Sequence, residues 1–212
     1  MSWFQLDPPS IAKRARAAGS PVPTLGASLI QGMIGFTVVS VAGFAPWAVF
    51  GKWLHMQVGE AGMYAVCAVV FLALTAPLLH QLIIGPGSVS RFYKLFGLSF
   101  TAYSVAWIAG WMLLRGHPGS IAGLLAGTMV MACMLVAAFD ALRVVVKVFL
   151  VLFVLNAIGY FVGWLSEAAL IKEHPLAAKL SWGVFYGIGL GAGLGLAFHF
   201  CQERARKLLT GG

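Results

Sequence analysis

The stretch SWGVFYGIGLGAGLGLAFHF, residues 181–200, carries Gly183, Gly187, Gly191 and Gly195, and the next member of that row is His199. A spacing of four sets these residues on one inclined ridge of an α-helix, a face without side chains along which a second backbone can come into near contact. A shorter row, Gly189 and Gly193, lies beside it. In water each internal glycine costs a helix about 1 kcal/mol relative to alanine. In hydrocarbon the alternative to a helix is unpaired backbone, so the same residues are tolerated. The stretch therefore reads as a membrane-spanning helix shaped for close packing, expected to seat against its own bundle in preference to a second chain.

Working outward, 60% of the 212 residues are hydrophobic and 9% are charged, where a soluble domain has about 45–50% apolar and about 25% charged residues. Six apolar segments are long enough to cross a bilayer: Thr24 to Phe50, Ala61 to Gly85, Phe92 to Leu114, Ile121 to Phe139, Val144 to Leu165 and Ser181 to Phe200. The breaks between them, GKWLHMQVGE, PGSVSR, RGHPGS, DALR and SEAALIKEHPLAAK, carry turn and polar residues. The expected fold is an all-α integral membrane protein, a six-helix bundle of three antiparallel hairpins with short loops. Residues 1–23 form a cytoplasmic or interfacial segment, 24–200 the membrane domain and 201–212 a basic tail.

The formal net charge is +8. Lys13, Arg14, Arg16, Arg91, Lys94, Arg143, Lys147, Arg204, Arg206 and Lys207 fall on one side of this scheme, and Lys52, Arg115, Lys172 and Lys179 on the other. The bias places both termini in the cytoplasm, as expected for a protein of a bacterial inner membrane. Cations scattered at the ends of apolar runs serve orientation and anionic lipid, so the bilayer is the expected partner and nucleic acid is not. Trp3, Phe4 and Leu6, followed by Lys13, Arg14 and Arg16, suit the head-group interface. Pro46 and Pro77 each remove a backbone hydrogen bond and predict kinks, or a helix end at Pro46. Trp47, Trp53, Trp107, Trp111 and Trp164 read as an interfacial belt near the outer ends of the odd-numbered segments.

Ionisable side chains are expensive in hydrocarbon, so each one is a functional candidate. His80, Asp140 and His199 end the even-numbered segments and form a candidate cytoplasm-facing cluster, able to titrate near neutral pH and to relay protons or gate a cavity. The plainer alternative pairs Asp140 with Arg143 and lets the histidines reach water or head groups. Asn156 and Tyr160, four apart on the fifth segment, add an amide and a phenol to a candidate substrate or ion path, or join helices as polar glue. In GPGSVSRFYKLFG, residues 85–97, Arg91, Tyr93 and Lys94 are candidate contacts to lipid phosphate or another anion. His55, His117 and His174, one from each outer break, are candidate metal ligands without motif spacing. His80 and His199 at matching depth offer bis-histidine ligation of haem b as an alternative; no other cofactor is expected.

No Walker loop, HExxH pair, histidine box or nucleophile with a partner histidine is present. With Cys67 and Cys133 in apolar spans and Cys201 at a cationic end, no disulfide is expected. An enzyme is not the leading expectation. A small channel or transporter for an ion or solute leads, followed by a non-catalytic subunit of a larger membrane complex and then by a haem- or metal-binding redox subunit. A homo-oligomer or partner membrane subunits are expected in either of the first two cases.

Overall fold

The computed structural model describes residues 4–211, and within them the chain is helical without strands. Six helices are long and apolar enough to cross a membrane: Leu25–Glu60, Gly62–Leu82, Ser88–Leu114, Gly116–Ala138, Leu142–Leu170 and Pro175–Cys201. They are the first to sixth spans below. Two short helices, Pro8–Ala17 and Glu203–Thr210, flank them.

The spans are longer, and the breaks shorter, than the sequence reading gave. The expected outer loop over 51–60 is helix, and the chain reverses at Gly59, whose φ of 72° is a left-handed conformation that glycine adopts without a side-chain clash. The third and fourth spans are separated by Arg115 alone, at φ 54°. Pro46 and Pro77 both lie inside helix, and Pro46 does not end one. Polar residues in these stretches are compatible with helix at an exposed end, where side chains reach water or head groups, and this is why composition set the boundaries too early.

The sixth span is the centre of the molecule. Its most apolar window is 67% buried, against 50% for the fourth span and between 17% and 28% for the others. Its glycine rows make this possible. A methyl group built on Gly187 would stand 2.6 Å from Thr37 Cα, one on Gly191 would strike the Gly32 carbonyl, and one on Gly195 the Ser28 carbonyl. Gly183 meets Val41 and Phe44 in the same descending order, so the first and sixth spans run antiparallel in near backbone contact. The shorter row faces the fifth span: a methyl group on Gly189 would lie 2.7 Å from Gly159 Cα, and one on Gly193 3.3 Å from Leu152 Cα. Both rows are therefore filled within one chain.

The third and fourth spans pack in the same manner, with Gly110 against Gly123, Gly119 against Trp111 and Gly127 against Tyr103. The first and second meet through Gly35 with Leu78 and Leu79, and Gly43 with Phe71. Between these close seams, ring stacking fills the interior. Phe92, Phe96, Phe100 and Tyr103 of the third span stack successively with centroids 5.2–5.7 Å apart, and Phe92 also stacks on Phe198 of the sixth at 5.5 Å.

One end of the bundle gathers both flanking helices. Asp7 caps Pro8–Ala17 by accepting from Ser10 N at 3.0 Å, and Ile11, Ala12 and Ala15 are buried, so this segment is docked on the bundle. Burial alone would raise the Asp7 carboxyl, but the Ser10 hydrogen bonds and Arg14 outweigh it and hold it below the ordinary carboxylate range. Arg16 donates to the Leu208 carbonyl of the C-terminal helix. Trp3, expected in the interface cluster, lies outside the described residues; Leu6 of that cluster is fully buried. Gln202, 2% exposed, joins this end together: it donates to Leu82 O at 2.7 Å and Phe198 O at 3.0 Å, and accepts from Ile84 N at 2.9 Å.

Two substitutions test these seams. Gly191→Ala should destabilise the protein by about 1–3 kcal/mol in detergent-titrated unfolding, because backbone must yield, whereas Gly97→Ala, with open space around it, should be neutral or stabilising by up to about 1 kcal/mol. Gln202→Ala should cost about 1–3 kcal/mol through the buried Ile84 N–H and Leu82 carbonyl it leaves unpaired, read in the same assay.

Candidate functional site

The third span carries more than its packing requires. Phe92, Phe96, Phe100, Tyr103, Trp107 and Trp111 follow one another at intervals of four, four, three, four and four, a continuous aromatic stripe along one helix face. Its lower half is the stacked core column. Phe100, Tyr103 and Trp107 of the stripe form a wall of a cavity of about 400 Å³.

Five spans build that cavity. The third gives Phe100, Tyr103, Ser104, Trp107 and Ile108, and the second gives Tyr64, Cys67, Ala68 and Phe71. Gly43 and Phe44 come from the first span, Tyr160 from the fifth, and Trp182 and Tyr186 from the sixth. The inner wall is rigidly stacked: Trp182 lies on Tyr186 at 5.3 Å with 4° between planes, Phe44 meets Trp182 edge-on at 4.8 Å, and Tyr160 meets Trp182 edge-on at 5.7 Å. At the other extreme Tyr64 is 55% and Ile108 50% exposed on the apolar flank. The cavity thus runs from a mouth between the second and third spans to a closed floor at Tyr103 and Tyr186.

Polar groups are few and lie on the inner side. Asn156 is fully buried and its Nδ2 donates to Tyr103 Oη at 3.0 Å, while its Oδ1 has no donor. Tyr186 lies within electrostatic reach of Tyr103. Ser120 Oγ donates to Gly116 O at 3.2 Å, so the 3.3 Å contact between Ser120 and Tyr160 uses the Tyr160 proton. Ser104 returns its proton to Phe100 O at 2.9 Å. Among the described residues no lysine, arginine, aspartate, glutamate or histidine lines the cavity.

The candidates read from sequence divide accordingly. Tyr160 lines the cavity and Asn156 stands behind Tyr103, so the fifth-span pair does face inward. His80, Asp140 and His199 take separate partners: His80 Nδ1 is 2.8 Å from Ser88 Oγ, His199 Nδ1 is 3.5 Å from Ser28 Oγ, and Asp140 pairs with Arg204 at 3.1 Å. Asp140 thus finds its cation on the C-terminal helix; Arg143 is not the partner. A second cavity, of about 410 Å³, includes His80, Gln81, Ser88 and the Gly85–Gly87 turn. Arg91 donates to Pro86 O and Gly87 O at 2.8 and 2.9 Å, and Tyr93 to Ala73 O at 2.6 Å, so two of the anion-contact trio are engaged in holding the turn and the second span; Lys94 is exposed. Burial and the neighbouring Arg91 charge hold the Arg14 guanidinium below its ordinary value.

His55 lies within the first span, His117 in the first turn of the fourth, edge-on to Trp164 at 4.9 Å, and His174 just before the sixth. Among the described residues no three histidine, cysteine, aspartate or glutamate side chains form a group that could hold a metal. Of the tryptophans read as an interfacial belt, Trp107 turns inward to the cavity, whereas Trp53 and Trp164 are 57% and 42% exposed. Trp182 and Tyr186 of the cavity escaped the functional reading of the sequence. Compared with protein-family models, curated proteins and solved structures, the chain matches none.

Proposed function

We propose that this multi-pass membrane protein is a carrier for a small lipid-soluble molecule that enters sideways from the bilayer. The observation that carries the reading is the aromatic cavity whose mouth opens on the apolar flank between the second and third spans. Concave, mostly apolar pockets with a few placed polar groups are what small ligands occupy. An ion would need compensating charge along its route, and among the described residues no ionised side chain lines the wall. A transporter of apolar solute therefore fits better than an ion channel.

The bundle is three antiparallel hairpins with both ends cytoplasmic. Descending contact registers in each pair support the hairpins. The clustering of both flanking helices, Asp140–Arg204 and the 80–91 turn at one end supports a single cationic face, which the positive-inside rule assigns to the cytoplasm. The glycine rows need no second chain to be covered, which favours a self-contained carrier over an assembly subunit.

Two experiments test this. The purified chain in nanodiscs should bind the lipid-soluble fluorophore N-phenyl-1-naphthylamine with energy transfer from tryptophan, and Ala68→Phe, which places a ring in the mouth, should weaken binding about tenfold or more. Equal binding to both proteins would remove the basis for a lateral site. For orientation, green fluorescent protein fused to the C-terminus should fluoresce and alkaline phosphatase there should be inactive; the reverse pattern would invert the topology.

A further inference from the structure

We infer that the molecule bound in this cavity is neutral and carries a planar ring bearing a carbonyl oxygen, as in a quinone or an aryl ketone. The inference rests on the lateral-cavity reading proposed above and specifies what occupies that cavity. Three observations carry it.

The first is shape. Nine of the fourteen lining residues are aromatic, in a chain that is 13% aromatic overall. Their rings are fixed by mutual stacking at the floor, with Trp182 on Tyr186 and Phe71 on Phe100 at 4.8 Å and 21°. Flat walls of this kind present faces and edges that complement another flat ring through offset stacking or edge contacts, whereas a flexible acyl chain would gain burial alone.

The second is charge. With no ionised side chain in the lining, a charged ligand would enter a low-dielectric space without a counter-charge, at a cost the cavity does not offset. Aromatic faces do attract cations, but Lys179, one turn before Trp182, is already placed over the Trp47 ring at 4.5 Å, outside the lining.

The third is the count of protons. Tyr103 Oη already accepts from Asn156 Nδ2, and Asn156 Oδ1 takes no proton in return. Whichever way the neighbouring Tyr103 and Tyr186 phenols arrange themselves, two O–H groups face each other and at most one proton can bridge them. One O–H donor therefore remains at the floor of the cavity. Tyr160 does not absorb it, because it acts on the two phenols through charge alone and the hydroxyl it contacts is that of Ser120, at 3.3 Å. An unspent donor among apolar groups is costly, and a ligand acceptor removes that cost. A carbonyl placed there would extend the chain from Asn156 N–H through the phenols to the ligand, each bond polarising the next. A hydrocarbon chain would leave the donor unmet.

The test compares two molecules of the same tetramethylated six-carbon ring, in one of which two ring C–H groups are replaced by carbonyls. Duroquinone, fully substituted and so inert toward Cys67, and durene are each used to displace N-phenyl-1-naphthylamine from the chain in nanodiscs at matched concentrations in the bilayer, with Ala68→Phe protein as the blank. Duroquinone should displace the probe at about tenfold lower concentration than durene, and the double variant Tyr103→Phe with Tyr186→Phe, which removes both hydroxyls of the pair, should bring the ratio close to one. Equal displacement by the two in the native chain would overturn the inference while leaving the lateral site standing, as would stronger displacement by tetraphenylphosphonium than by either. Probe binding that does not respond to Ala68→Phe is a different result, and it would defeat the carrier reading itself. If the double variant fails to bind durene, and so has not folded, the native ratio decides the question.

Discussion

The near contact between the sixth and first spans is the constraint on which the rest of the molecule depends. Gly187, Gly191 and Gly195 bring their helix so close to Thr37, Gly32 and Ser28 that no side chain fits between. In a bilayer, where apolar side chains gain nothing by leaving lipid for protein, association draws on dispersion contacts and close backbone approach. Because Gly189 and Gly193 do the same toward the fifth span, one helix becomes the shared partner of two others. Three of the large side chains that this span carries, Trp182, Tyr186 and Phe198, are then directed into the remaining space, where they meet the rings of the first, third and fifth spans.

The cavity follows from that arrangement. Small residues draw the helices together along the seams, and rings hold them apart where the seams end. Phe71 and Phe100, on facing spans, stack at 4.8 Å and close the lower boundary. Above them the second span has no glycine seam with the third, and the space between is lined by Tyr64, Cys67 and Ala68 on one side and Ser104, Trp107 and Ile108 on the other. Asn156 is the chemical centre of this region, since an amide with an unpaired oxygen is retained in an apolar interior only at a cost.

Much of the fold was legible because it is written locally. Six apolar segments, the glycine rows and the cationic ends are properties of spacing and composition over short stretches, and the structure contains the corresponding six helices. Helix ends were less legible: residues 51–60 and 166–170 are polar enough to read as loop, yet continue the helix where it is exposed. The intramolecular seating of Gly191 on Gly32 was a preference that only the contact could decide. The cavity was hardest to see, since its fourteen lining residues come from five spans and each ring alone resembles membrane belt or core. Tyr160 and Asn156 stood out because polar groups are rare in spans; Trp107 was assigned to the belt for the same statistical reason. Gln202 gave no signal, since an amide at the edge of a basic tail looks solvated until its three partners are in place.

The one-residue turn at Arg115 has a mechanical consequence. With no slack in the connection, and with Gly110, Gly119 and Gly127 each lodged against the facing backbone or ring, the third and fourth spans cannot slide past each other without breaking several contacts together. They behave as one stiff plate. The sixth span is clamped between the first and fifth in the same way, so four sides of the aromatic cavity are fixed. Any widening that admits a molecule falls to the second span, which is seated on the first at Gly35 and Gly43, reverses from it at Gly59, and meets the third mainly through side chains. The chain has concentrated its compliance in the wall that faces the lipid.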